Sequence, residues 1–214
     1  MMLPDYSVYV VTDRSLSRGR TTVDVVREAV AGGATCVQLR EKHARTLDFL
    51  EEARALSVLL RAQHVPLLIN DRVDIALAVG ADGVHLGQQD MPIADARRLG
   101  PPSWIIGVSA ESIEDAIRAE KEGADYIGVS PVFATPTKTD TALPLGLEGL
   151  CAMRAAVRIP LVAIGGIQLH NAREVIRAGA DGLAVVSAIV SADSPREAAA
   201  ALRREIDFEK GVKR

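Results

Sequence analysis

Three polar side chains alternate along one short apolar run: Gln38, Arg40 and Lys42 flank Leu39 and Glu41. On a strand, residues two apart share a face. The spacing therefore gathers an amide, a guanidinium and an ammonium on one side and turns Leu39 to the other. A glutamine and an arginine inside an apolar strand are costly to bury without partners. An internal ion-pair network would satisfy Arg40 alone, whereas three polar residues in succession at a strand end favour a ligand. His43 and Arg45 follow, so residues 40–45 collect positive charge suited to phosphate. Two carboxylates, Asp71 in Asn70-Asp71-Arg72 and Asp90 in Gln88-Gln89-Asp90, each close an apolar run. Mg²⁺ is commonly held by one or two carboxylates together with phosphate oxygens and water. Either aspartate could instead cap the helix that follows.

Other candidates are anion-binding loops. Gly165-Gly166 and Val186-Ser187 end the last two apolar runs. There, backbone N–H groups can cradle a phosphate, or glycine can simply make a tight turn. Thr135-Pro136-Thr137-Lys138 lies in the longest interval between runs and could bring Lys138 over a second phosphate, although a solvated turn would read the same. Ser109 ends a fifth run. His85 sits mid-run in Val84-His85-Leu86, where a hydrogen-bonded core histidine is the more frequent outcome than a substrate contact.

The elements that must position these residues repeat. Gly33-Ala34-Thr35, Gly80-Ala81-Asp82, Gly123-Ala124-Asp125 and Gly179-Ala180-Asp181 each precede an apolar run. Such a pattern marks a helix ending at glycine and a strand beginning after it. Eight runs predict strands at 7–12, 35–39, 66–69, 83–86, 104–108, 126–129, 161–164 and 182–186. Helical periodicity predicts helices over Val23–Ala31, Leu47–Leu60, Ile113–Lys121, Leu147–Val157, Asn171–Ala178 and Pro195–Ile206, with short ones at Val73–Val79 and Ile93–Leu99. Strand alternating with helix eight times, without a linker, implies a single (β/α)8 barrel spanning 1–214, with about 207–214 a polar tail. An open nucleotide-binding sheet would usually carry G-x-G-x-x-G after its first strand, where this chain has Thr12-Asp13-Arg14. Barrel enzymes carry their catalytic groups at the C-terminal ends of the strands, where the residues above fall.

Composition narrows the functional classes. The 214 residues hold 28 acidic and 25 basic side chains, a net charge of −3, with 48% apolar and 3% aromatic residues. That balance speaks against nucleic acid as a partner. The scarcity of aromatics predicts a barrel core of branched aliphatic residues and substrates held by polar and backbone groups. Cys36 and Cys151 have no metal or redox spacing. Met1-Met2-Leu3-Pro4-Asp5-Tyr6 lacks the basic segment of a signal peptide, and no apolar stretch reaches the ~20 residues of a membrane helix. A cytoplasmic enzyme is expected, with no membrane partner and its oligomeric state, a homo-oligomer included, left open.

Six ordered segments, Tyr9-Val10-Val11-Thr12-Asp13, Val37 to Lys42, Ile69 to Asp74, Gly83 to Asp90, Pro131 to Lys138 and Ala163 to Ile167, together closely resemble the thiamine phosphate synthase family. The resemblance implies a (β/α)8 barrel that joins hydroxymethylpyrimidine diphosphate to hydroxyethylthiazole phosphate with Mg²⁺, releasing pyrophosphate. It assigns Gln38, Leu39, Arg40, Glu41, Lys42, Asn70, Ser109 and Lys138 to the pyrimidine diphosphate. Lys42, Ser109 and Lys138 would be catalytic. It gives Asp71 and Asp90 to the metal, and Thr135, Pro136, Thr137, Gly166, Val186 and Ser187 to the thiazole phosphate. Glu111, Ser130 and Ala134 stand where the family more often has His, Gly and Pro. Two other readings remain: a thiazole tautomerase on the same barrel, which would need no diphosphate site, and a non-catalytic phosphate-binding module.

Overall fold

A computed structural model describes residues 4–135 and 143–212. Among them, eight parallel strands close into a barrel in sequence order: β1 (Val8–Val11), β2 (Cys36–Leu39), β3 (Leu67–Asn70), β4 (Gly83–Leu86), β5 (Ile105–Ala110), β6 (Tyr126–Val129), β7 (Leu161–Ile164) and β8 (Gly182–Val185). β8 returns to pair with β1, Val8 standing beside Leu183, so no strand edge is left open. Around it lie α1 (Thr22–Ala31), α2 (Thr46–Ala62), α3 (Val73–Val79), α4 (Ile93–Leu99), α5 (Ile113–Glu122), α6 (Gly146–Ala156), α7 (Ala172–Arg177), α8 (Ser187–Val190) and α9 (Pro195–Glu209). The short α8 and a 3-10 turn at Arg14–Leu16 escape the periodicity because neither completes an amphipathic stripe. The polar stretch expected from about 207 is also corrected. α9 continues to Glu209, Asp207 is buried against Arg203, and Lys210 donates to Ser7 Oγ at 3.1 Å.

The repeated Gly-Ala-Asp/Thr has a tertiary purpose beyond ending a helix. Gly33, Gly80, Gly123 and Gly179 all take left-handed φ, from 62° to 110°. Two residues on, a side-chain oxygen accepts the first or an early N–H of the preceding strand. Val8 N bonds Thr35 Oγ1 at 3.1 Å, Leu67 N bonds Asp82 at 2.8 Å, Ile106 N bonds Asp125 at 2.7 Å, and Leu161 N bonds Asp181 at 2.8 Å. The residue before each even-numbered strand thus pins the start of an odd-numbered one, which sets the register of the barrel in four places. Asp125→Ala is expected to cost about 2 kcal/mol, the range for a hydrogen bond to a charged acceptor. A urea-unfolding midpoint unchanged from the parent would show that this pin carries no stability.

Two apolar clusters follow from strand alternation. Outward-facing residues such as Val8, Val10, Val37, Leu39, Ile69 and Val84 pack against the helices. Inward-facing ones, among them Tyr9, Val11, Cys36, Leu68, Ile105, Tyr126 and Val162, fill the barrel. The expectation of an aliphatic interior needs correction here, since all three tyrosines of the chain, Tyr6, Tyr9 and Tyr126, gather inside. Tyr6 and Tyr126 lie with ring centroids 4.7 Å apart. Glycine makes room for this: a Cβ at Gly107 on β5 would lie 2.0 Å from Cζ of Tyr126.

Candidate active site

The C-terminal ends of the strands open into a cavity of about 700 Å³, lined by residues from all eight strands or the loops that follow them. β2 delivers Gln38, Arg40 and Lys42 to it, as alternation requires. Gln38 donates from Nε2 to Tyr9 Oη at 2.9 Å. The Arg40 backbone N–H is held by Thr12 Oγ1 at 3.0 Å, and its guanidinium has no ion-pair partner among the described residues. Lys42 reaches across to β3 and donates to Asp71 Oδ2 at 2.5 Å.

The neighbours of these three point elsewhere. Leu39 is fully buried in the barrel–helix layer. Glu41 turns to Arg14, 3.6 Å away, and burial together with nearby Glu52 holds its carboxyl above the usual range. Neither side chain lines the cavity, so the assignment of Leu39 and Glu41 to substrate is corrected at side-chain level: a two-residue period cannot bring both parities to one face. Arg45 is likewise diverted, bonding both oxygens of Asp48 at 2.8 and 2.9 Å on the first turn of α2, and His43 does not line the cavity. Among the described residues, the positive charge at the mouth is Arg40 and Lys42, not the whole of 40–45.

Asp71 and Asp90 come together, and neither caps a helix. The N-cap positions of α3 and α4 are Arg72 and Pro92, each without a side-chain cap. Asp71 takes φ 59°, a left-handed conformation rare outside glycine, asparagine and aspartate. Its N–H is tied to His85 O at 2.9 Å, and this turn aims its carboxyl into the mouth. Asp90 accepts from Gly87 N at 2.6 Å. Burial raises the Asp90 carboxyl, and a hydrogen bond with Asp71 raises it further. Burial also works against ionised Asp71, but the bonds to Asp90 and Lys42 outweigh it and hold that carboxyl low. The two carboxyls thus lie side by side next to an ammonium, Asp71 being the more acidic of the pair. Asn70, Gln88 and Gln89 line the same side.

Across the barrel, Gly165, Gly166, Val186 and Ser187 line the cavity from β7, β8 and their loops. Gly165 and Gly166 have φ 98° and 65°, and a Cβ on either would come within 2.7 Å of Pro131 or Phe133. The loop after β6 packs there, Phe133 N donating to Gly165 O at 3.0 Å, which brings Thr135 to the mouth. In α8, Ile189 N and Val190 N already bond Val186 O at 3.1 and 2.8 Å, which leaves Ser187 N and Ala188 N without an acceptor in that helix. Pro136, Thr137 and Lys138 lie outside the described residues.

The floor holds two residues that sequence reasoning missed, Tyr9 and Tyr126, which line the base of the cavity with His85, a hydrogen-bonded histidine as its mid-strand place predicts. His85 Nδ1 lies 2.8 Å from Tyr126 Oη and its Nε2 lies 2.9 Å from Ser109 Oγ. Alternation from Gln38 through the register partner Val11 would have turned Tyr9 inward; nothing local marks Tyr126. Glu111, Ser130 and Ala134 also line the cavity, so the departures from the family pattern fall on the site itself.

Residues 8–189 match the profile of the thiamine monophosphate synthase family. The chain belongs to that family. Among relatives of this synthase family, the thiamine-phosphate synthase of Albidiferax ferrireducens is 60% identical, over 94% of this chain and 91% of the relative. That of Chloroflexus aurantiacus is 58% identical, over 93% and 92%. Among solved structures, a thiamine phosphate pyrophosphorylase from Pyrococcus furiosus superposes with a TM-score of 0.89 at 46% identity, covering 96% of this chain and 98% of that one. The barrel is therefore a synthase-family transferase. Among the described residues, no helix is long and apolar enough to cross a membrane.

Proposed function

We propose that this enzyme condenses hydroxymethylpyrimidine diphosphate with hydroxyethylthiazole phosphate, giving thiamine phosphate and pyrophosphate, in the cytoplasm and as one barrel domain. The observation that carries this is the pairing of Lys42, Asp71 and Asp90 on one side of a single cavity with Gly165-Gly166 and Val186-Ser187 on the other. One side offers cations and carboxylates for a diphosphate and its metal. The other offers backbone N–H groups for a monophosphate.

The aspartates fit Mg²⁺. They present hard oxygen donors side by side, and among the described residues there is no cluster of three or more His, Cys, Asp or Glu that would suit an all-protein cage. Asp71 and Asp90 would hold the ion, which when bound supplies positive charge against the leaving pyrophosphate. Arg40 and Lys42 grip the diphosphate of the pyrimidine and stabilise the negative charge that grows as its C–O bond breaks. Ser109, Asn70 and Gln38 orient the ring, and Lys138 would add a second cation. Thr135, Gly166, Val186 and Ser187 seat the thiazole phosphate, and the family resemblance adds Pro136 and Thr137 to them. The electron-rich aminopyrimidine can carry the positive charge left behind, and the thiazole nitrogen captures it through its lone pair. That nitrogen bears no proton, so no general base is needed, and holding the two rings in line supplies much of the remaining acceleration.

A tautomerase has no use for the Lys42–Asp71–Asp90 group, and the relatives above carry the synthase name. With both substrates and Mg²⁺, purified protein is expected to release pyrophosphate and thiamine phosphate in equal amounts, followed by mass spectrometry. Binding of both substrates without either product would leave a phosphate-binding module as the better account.

A further inference from the structure

We propose that a one-way hydrogen-bond chain across the cavity floor, Gln38 to Tyr9 to Tyr126 to His85 to Ser109, fixes the Ser109 hydroxyl as a donor aimed into the cavity, and that Tyr9, Tyr126 and His85 are positioning residues for it. It deepens the reading above, because the acceptor Ser109 meets is an oxygen or ring nitrogen of the pyrimidine diphosphate.

The direction follows from counting hydrogens. Gln38 Nε2 carries only donors and gives one to Tyr9 Oη at 2.9 Å. Tyr9 Oη stands 2.8 Å from Tyr126 Oη. Burial keeps both phenols protonated at any ordinary pH, so each has one hydrogen to place. The thiol of Cys36 beside Tyr9 is a weak acceptor, so the Tyr9 hydrogen goes to the Tyr126 oxygen. The Tyr126 hydrogen then goes to His85 Nδ1, 2.8 Å away. An imidazole that accepts at Nδ1 carries its hydrogen on Nε2, and that hydrogen goes to Ser109 Oγ at 2.9 Å. With the His85 hydrogen taken on one side, the hydrogen of Ser109 is left for the cavity that the residue lines.

The fold is arranged to keep this chain in place. Its five members come from β2, β1, β6, β4 and β5, so five strands must be in register before it closes. Gly107 and Gly128 stand where a side chain would strike it: a Cβ at Gly107 would lie 2.3 Å from Tyr126 Oη, and one at Gly128 2.9 Å from His85 Cε1. Hydrogen bonds in such a chain polarise one another in the same sense, which strengthens the Ser109 hydroxyl as a donor to a developing anion.

Two measurements on the full chain test this. In ¹⁵N-labelled protein without substrate, long-range ¹H–¹⁵N correlation should show His85 protonated on Nε2 and bare on Nδ1, the signal being assigned by its loss in His85→Gln. Protonation on Nδ1, alone or with Nε2, overturns the direction of the chain. In a double-mutant cycle, Tyr126→Phe should lower kcat about tenfold when Ser109 is present and less than about twofold in Ser109→Ala, since the phenol acts through the serine. Equal losses in both backgrounds would make Tyr126 merely structural. Tyr9→Phe gives the same cycle if Tyr126→Phe does not fold. The spectrum does not depend on turnover: Nε2-protonated His85 in a protein that makes no thiamine phosphate supports the chain and overturns only the functional reading.

Discussion

Asp71→Asn is expected to lower kcat by roughly a hundredfold to a thousandfold, the scale seen when a group stabilising transition-state charge is removed. The Mg²⁺ concentration for half-maximal rate should rise with it. Asparagine is the informative replacement because the position has φ 59°, which asparagine tolerates nearly as well as aspartate. The backbone turn and its bond to His85 O are then preserved, and only the charge is lost. Lys42 would lose its 2.5 Å carboxylate partner and Asp90 its neighbour, so one substitution loosens all three members of the group. Stability should change little, because Lys42 is 42% exposed and such a pair contributes about 1 kcal/mol or less. The check is steady-state kinetics across a Mg²⁺ titration together with a thermal melt. Unaltered Mg²⁺ dependence would return Asp71 to a purely conformational role.

Gly107→Ala is expected to destabilise the barrel by about 3 kcal/mol or more, the upper range for overpacking a filled core. The added methyl would lie 2.0 Å from Cζ and 2.2 Å from Cε1 of Tyr126, whose ring is completely buried among Tyr6, Tyr9 and His85. The ring has nowhere to go without breaking its bonds to Tyr9 and His85. Activity should therefore fall even at temperatures where the variant remains folded. Shortening the obstructing side chain, as in Gly107→Ala with Tyr126→Leu, should recover part of the stability although not the activity. Urea-unfolding midpoints for the two singles and the double decide the matter. A Gly107→Ala protein as stable as its parent would mean that the interior can yield at this point, against the dense packing described.

The barrel was legible because periodicity is a local signal. Each apolar run falls within two residues of its strand, the largest difference being at β5, which continues through Ser109 to Ala110. The four glycines that end helices announce themselves by their repeats. Alternation is enough to send Gln38, Arg40 and Lys42 to the mouth and Leu39 to the helices, although the family resemblance takes 38–42 together. What alternation cannot state is which oppositely charged group lies within reach. Arg45 adds to the positive charge of 40–45 in the sequence, but the first turn of α2 places Asp48 against it.

By itself, then, the sequence determined the strand–helix succession, the face of each strand and the residue types gathered at the strand ends, all of which depend on spacings of two to four residues. Only the tertiary structure decided that Asp71 and Asp90 forgo capping to meet beside Lys42, that the Asp and Thr of the repeats pin neighbouring strands, and that His85 joins Ser109 to two buried tyrosines. Each of those arrangements brings polar atoms from different strands into hydrogen-bond or ion-pair distance. That proximity exists only once the barrel has closed, and no local pattern in the chain records it.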